Sequence, residues 1–103
     1  MAWDDSDHRD YRVVEYSGWR NLENYGTFEY RAGVYLFANV DLYIKYVGKA
    51  GAGRMVDEIQ GAINRGKAYG ATKVKALYTN SEERAASLEK ALIDKYNPPN
   101  NFT

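Results

Sequence analysis

The sequence predicts one α+β domain, in which a small three-stranded antiparallel sheet is flanked by helices. Two β-type segments, 33–38 and 42–47, are joined by a short polar turn, and a third follows at 73–78. Apolar residues recur at helical spacing in two further stretches, 54–65 and 82–96. The order hairpin, helix, strand, helix is typical of helices packed on a small antiparallel sheet. A length of 103 residues suits one such domain.

The N-terminal segment, residues 1–31, differs in composition from the rest of the chain. It contains seven acidic and four basic side chains, whereas residues 32–103 contain seven acidic and ten basic ones. We therefore expect an acidic, aromatic extension at 1–31 and the main domain at 32–103. Within the extension, Val13-Val14 predicts a short strand, and residues 19–25 predict one or two helical turns.

The first ten residues show no periodicity, and we expect them to be frayed or loosely docked. His8 is the only histidine of the chain and is predicted to be a surface residue. Three carboxylates of this stretch are expected to be solvated rather than bound to a cation: Asp4, Asp5 and Asp7.

The hairpin is the clearest β element of the sequence. Residues 33–38 are rich in β-branched and aromatic side chains, and the turn at 39–41 contains asparagine and aspartate. The second strand is predicted over 42–47. Gly48 is expected to end it, because glycine weakens a strand interior.

Both predicted helices have terminal signals. The first should begin at Arg54, after a flexible glycine-containing link, and end at Arg65-Gly66. The second follows a helix-start signal at 79–82, with acidic residues in its first turn. It is predicted to run to about Tyr96, because prolines follow.

The composition limits the chemistry of the protein. No cysteine is present, which excludes disulfides, thiol nucleophiles and cysteine-ligated zinc. A single histidine cannot form a histidine-rich site, so any metal would have oxygen ligands, which favours Mg²⁺ or Mn²⁺. No apolar run approaches about 18 residues, so no membrane span is predicted. The acidic N-terminus does not resemble a secretory signal, and we expect a cytoplasmic location.

Glu89 is the most informative polar residue. On a helical wheel it falls inside the apolar arc that contains Leu88, Leu92 and Tyr96, whereas Lys90 lies on the opposite face. A carboxylate that faces a core is costly unless it is paired or holds a metal. The pattern alone favours a buried ion pair or a side chain that escapes at the rim, and it leaves a metal ligand open.

A loop of small residues precedes the first helix. Gly51 and Gly53 leave the first N–H groups of the helix accessible to an anion. Lys49 and Arg54 add positive charge on either side, and arginine can bind phosphate through two parallel hydrogen bonds. A plain loop with solvated charges is the alternative. The segment is not a Walker loop, because the Gly-Lys-Ser/Thr ending is absent.

Two of the ten tyrosines lie on the predicted hairpin, Tyr35 and Tyr46. Aromatic residues in strands usually serve core or cross-strand packing, and that interpretation stays open for both. Lys45 directly precedes Tyr46 and would point to the opposite face of a regularly pleated strand.

In order and spacing, these features resemble the GIY-YIG nuclease superfamily over residues 32–101. Gly33-Val34-Tyr35 resembles its first signature and Tyr46-Val47-Gly48 its second, with valine in place of isoleucine in both. The other matching positions follow in the order of the family: Lys49-Ala50 after the second signature, Arg54 early in the first helix, Glu89 on the later helix and Asn101 after it.

The resemblance implies an endonuclease that hydrolyses phosphodiester bonds in DNA with one divalent cation, Mg²⁺ or Mn²⁺. Glu89 would hold the metal and Arg54 would bind the phosphate. Tyr35 by preference would orient or deprotonate the attacking water, with Tyr46 beside it.

Three further implications concern the surroundings of that site. A phenol has a reference pKa of about 10, so phenolate formation would need a nearby cation, for which Lys45 and Lys49 are the candidates. Asn101 would form hydrogen bonds around the site. Two glycines, Gly33 and Gly48, would be structural and allow close backbone approach.

An active endonuclease is favoured, but two other roles stay open. The chain could be a nucleic-acid-binding or interaction module that kept the fold without turnover. It could also be a toxin or mobile-element nuclease domain of a larger protein, whose N-terminal segment docks an inhibitor or sister domain. Duplex or branched DNA is the expected partner, RNA stays open, and the oligomeric state is not predicted. A net charge of zero argues mildly against nucleic-acid binding.

Overall fold

The computed structural model describes residues 1–103, which form a five-stranded antiparallel sheet between helices. The third strand lies between the fourth and fifth, and the two short N-terminal strands pair with the fifth. The α+β class and the order hairpin, helix, strand, helix are confirmed, and the N-terminal segment extends the predicted three-stranded sheet. The strands are β1 (Glu15–Tyr16), β2 (Arg20–Asn21), β3 (Gly33–Ala38), β4 (Ile44–Ala50) and β5 (Lys73–Tyr78).

Two helices, α1 (Met55–Asn64) and α2 (Glu82–Tyr96), cover opposite faces of the sheet. Every residue of β3 is buried, because strands flank it on both sides and helices cover both faces. Its side chains alternate between two cores. The α1 core contains Tyr35, Phe37, Met55, Ile59 and Ala62, and the α2 core contains Val34, Leu36, Leu88, Leu92 and Tyr96.

The helix ends follow the signals in the sequence. Arg54 is the N-terminal cap residue of α1, and Gly66 beyond its C-terminus has a φ of +81°. The Ser81 hydroxyl caps α2 by accepting a hydrogen bond from the backbone N–H of Arg84 at 3.2 Å. Asn97 ends α2 in the left-handed conformation. Neither helix has the length and apolar character that crossing a membrane requires.

β4 differs from its prediction at both ends. It begins at Ile44 rather than at Leu42, which has a φ of 64° and belongs to the turn. It continues through Gly48 to Ala50 instead of ending at the glycine. Gly48 stays in the strand because it pairs with Tyr35 of β3. Because glycine has no side chain, the Tyr35 ring has room to lie across this position.

β4 also contains a bulge at Lys45. The pairing passes from Phe37–Tyr46 to Ala38–Ile44, so Lys45 is an extra residue without a partner on β3. The regular pleat assumed for Lys45 is therefore absent. The bulge places Ile44 in the α2 core and Tyr46 against the α1 core, although two residues of one regular strand at this spacing would share a face.

The first ten residues are docked against α2 and are not frayed, and the prediction that Asp4 and Asp7 are solvated is wrong. Lys95 Nζ lies 3.1 Å from Asp4 Oδ2 and 2.9 Å from Asp7 Oδ2. The Tyr96 hydroxyl donates to Asp7 Oδ2 at 2.5 Å, and the Trp3 ring stacks on the Tyr96 ring at 5.8 Å. These contacts join residues about ninety positions apart, so no local sequence pattern predicts them.

The rest of the N-terminal segment is shifted relative to its predicted elements. A 3₁₀ helix occupies Asp5–Arg9, and its half-buried His8 stacks on Tyr16 at 3.7 Å instead of lying free on the surface. The predicted strand at Val13-Val14 forms two residues later, as β1. The predicted helical turns form a 3₁₀ helix at Leu22–Thr27.

Lys75 of β5 is buried under the N-terminal segment, with only 2% of its surface exposed. Its Nζ donates to the Ser17 carbonyl oxygen at 2.6 Å. Three aromatic rings surround the ammonium group at 5.2–5.7 Å: Trp3, Tyr16 and Trp19. Burial lowers the pKa of Lys75 to about 8, and the charge of Asp5 opposes that shift.

We predict that the stability of the fold increases with pH through the titration of Lys75. Between pH 8 and 10.5 the unfolded chain holds a proton that the folded chain has lost, so the free energy of unfolding rises with pH. Urea unfolding at about pH 7.5 and about pH 9.5 should show that the free energy of unfolding increases by about 1–2 kcal/mol between the two values. Lys75→Met should remove this increase, and Lys90→Met, at an exposed lysine, should retain it. An identical pH profile for wild type and Lys75→Met would mean that the Ser17 carbonyl oxygen and the three rings keep Lys75 protonated despite its burial.

Candidate active site

A pocket of about 210 Å³ lies where the end of β4 meets α1 and α2. It brings together two predicted residues, Lys49 and Gly51, with two glutamates that were not predicted. Its lining consists of Lys49, Ala50, Gly51, Glu58, Glu82 and Ala85. A larger cavity of about 530 Å³ lies between the 3₁₀ helix Leu22–Thr27 and the end of α1, and none of the predicted site residues lines it.

Glu89 is half-buried on α2, as its place at the apolar arc predicts. No lysine or arginine nitrogen lies within 4.0 Å of its carboxylate. Of the two arrangements that the helical wheel alone favoured, the buried ion pair is therefore absent, and the half-buried side chain is closer to one that escapes at the rim. Burial raises the pKa of Glu89, and the nearby charge of Lys49 reduces this shift. The carboxylate is therefore partly desolvated and has no partner in the protein, while its oxygens still reach solvent.

Tyr35 lies on β3 with 1% of its surface exposed. Its hydroxyl donates a long hydrogen bond, 3.4 Å, to the backbone carbonyl oxygen of Glu58. Burial raises the pKa of Tyr35 well above its usual value, and the charges of Tyr46, Glu58 and Glu89 add to the rise. The charge of Arg65 acts in the opposite direction and is outweighed. Tyr35 therefore carries its proton at neutral pH.

Tyr46 lies beside Tyr35, with the two ring centroids 6.2 Å apart. It is half-buried, stacks on Phe37 at 5.8 Å and is approached by Lys67 Nζ at 6.0 Å. Lys45, which was a candidate cation for the tyrosines, turns towards the loop after α1. Its Cε lies 3.8 Å from the position that a Cβ on Gly70 would occupy.

Arg54 is exposed and lies beside acidic side chains of its own helix. Its guanidinium lies 3.3 Å from Glu58 Oε1, one helical turn along α1, and 3.8 Å from Asp57 Oδ2. Glu82 of α2 lies across the loop, with Oε1 2.7 Å from the position of a Cβ on Gly51. Carboxylates therefore line the loop that was predicted to bind an anion.

Glycines and an asparagine fix the geometry of this region. A Cβ on Gly33 would lie 2.2 Å from the Leu77 carbonyl oxygen, and one on Gly48 would lie 2.3 Å from Tyr35 Cζ. Gly53 has a φ of +75°, which only glycine adopts easily. The Asn101 side chain binds both the N–H and the carbonyl oxygen of Val47 at 2.9 Å, and so acts like a short additional strand on the outer edge of β4.

Contacts connect most of the predicted residues, and Glu89, which does not line the pocket, is related to them by charge interactions. Tyr46 touches Tyr35, Tyr35 reaches Glu58, Glu58 pairs with Arg54 and shares the pocket with Lys49, and the charge of Lys49 acts on Glu89. The sheet edge, α1 and α2 each contribute at least one of these side chains. Among the predicted catalytic residues, only Lys45 lies apart from this series.

The same architecture occurs in solved structures. The N-terminal endonuclease domain of UvrC from Thermotoga maritima, bound to magnesium, matches with a TM-score of 0.63 and 27% sequence identity over 73% of this chain and 88% of that chain. The chain has the GIY-YIG fold. A Tyr-to-Phe point mutant of the same domain matches with a TM-score of 0.63 and 26% identity, over 75% of this chain and 89% of that chain. Neither a protein-family model nor a curated protein matches the sequence.

The GIY-YIG signatures occupy neighbouring positions on the hairpin. Tyr35 of the first signature pairs with Gly48 of the second, so the ring of one motif lies across the glycine of the other. Glu58 and Glu82 were not predicted as site residues, because each occupies a position where helices commonly carry glutamate. Glu58 follows Arg54 by four residues, which suggests only a helical ion pair, and Glu82 belongs to the acidic first turn of α2.

Proposed function

We propose that this chain is a divalent-metal-dependent endonuclease that hydrolyses phosphodiester bonds in DNA at the pocket beside Glu89. The similarity to a solved GIY-YIG endonuclease domain supports a nuclease function in general. The observation in the chain that carries the proposal is the half-buried, unpaired carboxylate of Glu89 beside the positive charge of Lys49. A carboxylate left without a partner suits a cation from outside the protein, and the neighbouring positive charge suits a phosphate.

The donor set fits a magnesium-type cation better than zinc. The fold implies a divalent cation, since the solved UvrC domain is bound to magnesium. No group of three or more histidine and carboxylate side chains could hold a metal alone, so Glu89 would be the main protein ligand. Mg²⁺ commonly uses one or two carboxylates and completes its shell with water and substrate phosphate. When bound, the cation would stabilise the charge that develops on the phosphate and leaving oxygen.

Arg54 and Lys49 would bind the phosphate that the cation contacts. Arg54 is 57% exposed and therefore accessible, but a phosphate must compete with Glu58 for its guanidinium. Lys49 lines the pocket and would add charge stabilisation in the transition state. We assign Lys45, which lies near Gly70 outside the pocket, to attraction of the DNA backbone.

Tyr35 would orient the attacking water and would not deprotonate it. Its raised pKa keeps the phenol protonated, so its hydroxyl cannot accept a proton at neutral pH. To donate to the water, the hydroxyl would give up its long hydrogen bond to the Glu58 carbonyl oxygen. Glu58 lines the pocket, its backbone carbonyl contacts the Tyr35 hydroxyl, and its carboxylate is the proton acceptor in this scheme. The water oxygen forms a bond to phosphorus, its proton passes to Glu58, and the bond to the leaving sugar oxygen breaks. That oxygen then takes a proton from solvent.

A cleavage panel tests the proposed function directly. The full chain is incubated with supercoiled plasmid, branched DNA, single-stranded DNA and RNA, with Mg²⁺ or Mn²⁺ and with EDTA. We expect cleavage of DNA that EDTA abolishes and added metal restores. Retarded bands in a gel-shift assay without cleavage on any substrate would instead identify a binding module that kept the fold.

We predict opposite effects of Glu58→Gln on binding and on cleavage. In EDTA the variant should bind DNA about two- to fivefold more tightly, because Arg54 loses its competing carboxylate. With metal it should cleave about 10²-fold more slowly, because the proton acceptor is lost. Anisotropy titrations and single-turnover cleavage measure the two effects. Glu83→Gln, at an exposed residue of α2, is the control and should change neither. A Glu58→Gln protein that binds more weakly, or cuts at the wild-type rate, would contradict the role assigned to Glu58.

A further inference from the structure

Tyr69 is the most exposed large hydrophobic residue of the chain, with 82% of its surface accessible. The loop that carries it, residues 66–72, is nevertheless firmly held. The Asn100 side chain donates to the carbonyl oxygens of Lys67 at 2.9 Å and of Tyr69 at 2.8 Å, and Asn100 itself is buried. A rigid loop therefore presents an aromatic ring to solvent, and no packing within the chain accounts for the ring.

A second exposed ring lies close in sequence to Asn100. Phe102 is 64% exposed and lies two residues after Asn100. The intervening Asn101 is fixed to Val47 of β4 by two hydrogen bonds of 2.9 Å. The Asn100 side chain thus attaches the C-terminal segment, which carries Phe102, to the loop that carries Tyr69. The Asn101 side chain attaches the same segment to β4, the strand that contains Tyr46.

Two lysines lie near this loop, Lys67 beside Tyr46 and Lys45 beside Gly70. Lys67 Nζ is 6.0 Å from the centre of the Tyr46 ring and donates to the Thr103 carbonyl oxygen at 3.0 Å. Lys45, the bulged residue of β4, packs near Gly70 of the loop. Neither lysine has an Asp or Glu side chain within 4.0 Å, unlike the basic residues that form the ion pairs of this protein: Arg12, Arg31, Arg54, Lys90 and Lys95. Both lysines therefore lack an Asp or Glu partner, although the chain as a whole has a net charge of zero.

We infer that Lys45, Lys67, Tyr69 and Phe102, hereafter the loop surface, bind unpaired nucleotides of the substrate next to the cleaved bond. Exposed aromatic rings interleaved with cations are the features that hold single-stranded nucleic acid, since bases stack on the rings and phosphates contact the cations. In a duplex the base faces are covered by neighbouring bases, so the rings could stack only at a flap, fork or single strand. The inference rests on the proposed function for its position, because Tyr46 joins the loop surface to the active site.

Binding measurements on the full chain test this inference without requiring cleavage. Fluorescence anisotropy in EDTA compares a labelled oligothymidine of about 12 nucleotides with a duplex of equal length. We expect tighter binding of the single strand. Tyr69→Ala should weaken single-strand binding about tenfold, whereas Tyr69→Phe, which keeps the ring, should retain it. Tyr30→Ala, at another tyrosine with 70% exposure that lies outside the loop surface, is the matched control.

The outcomes separate this inference from the proposed function. Equal affinity for the two oligonucleotides, or an unchanged affinity in Tyr69→Ala, overturns the loop surface as a single-strand site even if the protein cuts DNA. Tyr69-dependent binding to an acidic peptide but not to DNA overturns it in favour of a protein partner. Single-strand binding that depends on Tyr69, with no cleavage under any metal condition, supports the loop surface while refuting the nuclease.

Discussion

Glu89→Gln is expected to lower metal-dependent cleavage by about 10²- to 10³-fold while leaving the fold at least as stable as the wild type. Glutamine keeps the size of the side chain but removes the charge that would bind the cation. Because Glu89 has no ion-pair partner in the protein, the substitution breaks no salt bridge. The loss should therefore be confined to chemistry.

The stability change has a definite sign. Burial raises the pKa of Glu89 in the folded chain, so the folded state disfavours the ionised carboxylate more than the unfolded state does. The stabilising contribution of this residue is complete below its unfolded pKa and is lost as the pH rises through the folded value. At neutral pH the charge thus opposes folding, and Glu89→Gln should raise the Tm or leave it unchanged.

Plasmid nicking and thermal unfolding of the same preparations measure both effects. Glu83→Gln makes the same substitution at an exposed position of α2 and should behave as wild type in both assays. A divalent cation should also raise the Tm of the wild type but not that of Glu89→Gln, because it binds only the folded chain. If Glu89→Gln protein nicks as fast as wild type, the cation is bound elsewhere.

The elements with strong local patterns could be predicted, and those formed by distant contacts could not. The strand at 33–38 and the helix at 82–96 have continuous apolar or periodic sequences with terminal signals, and both form as predicted. The lead at 1–10 has no periodicity of its own, since its order comes from Lys95 and Tyr96 at the other end of the chain. Tertiary contacts decide such segments, and a single sequence does not reveal them.

The same distinction holds within the candidate site. Glu89 was predicted because one helix places it among apolar neighbours, which is a local property. Glu58 and Glu82 enter the pocket only because α1 and α2 meet at the end of β4, so their involvement depends on the packing of two helices. The bulge at Lys45 is equally hidden, since the register of β4 against β3 creates it.

The second large effect is expected from Gly48→Ala, which should both destabilise the fold and abolish cleavage. The new methyl carbon would lie 2.3 Å from Tyr35 Cζ and 2.4 Å from its hydroxyl oxygen, far inside van der Waals contact. The Tyr35 ring cannot move aside easily, because it is 1% exposed and packs against Phe37 and Tyr46 at centroid distances of 5.5 and 6.2 Å. Overpacking of this kind costs about 1–3 kcal/mol or more, which corresponds to a loss in Tm of about 5 °C or more.

A double-mutant cycle assigns this cost to the ring. Gly48→Ala should destabilise the wild-type chain strongly but the Tyr35→Leu chain much less, because the shorter side chain leaves room for the methyl group. Gly26→Ala, at a position with no atom within 4 Å of the added Cβ, is the matched glycine control. Equal costs of Gly48→Ala in both backgrounds would locate the strain in the backbone of β4. Gly48 would then be required by the backbone of β4 and not by the Tyr35 ring, and the close packing of Tyr35 on Gly48 would no longer explain the position of the tyrosine.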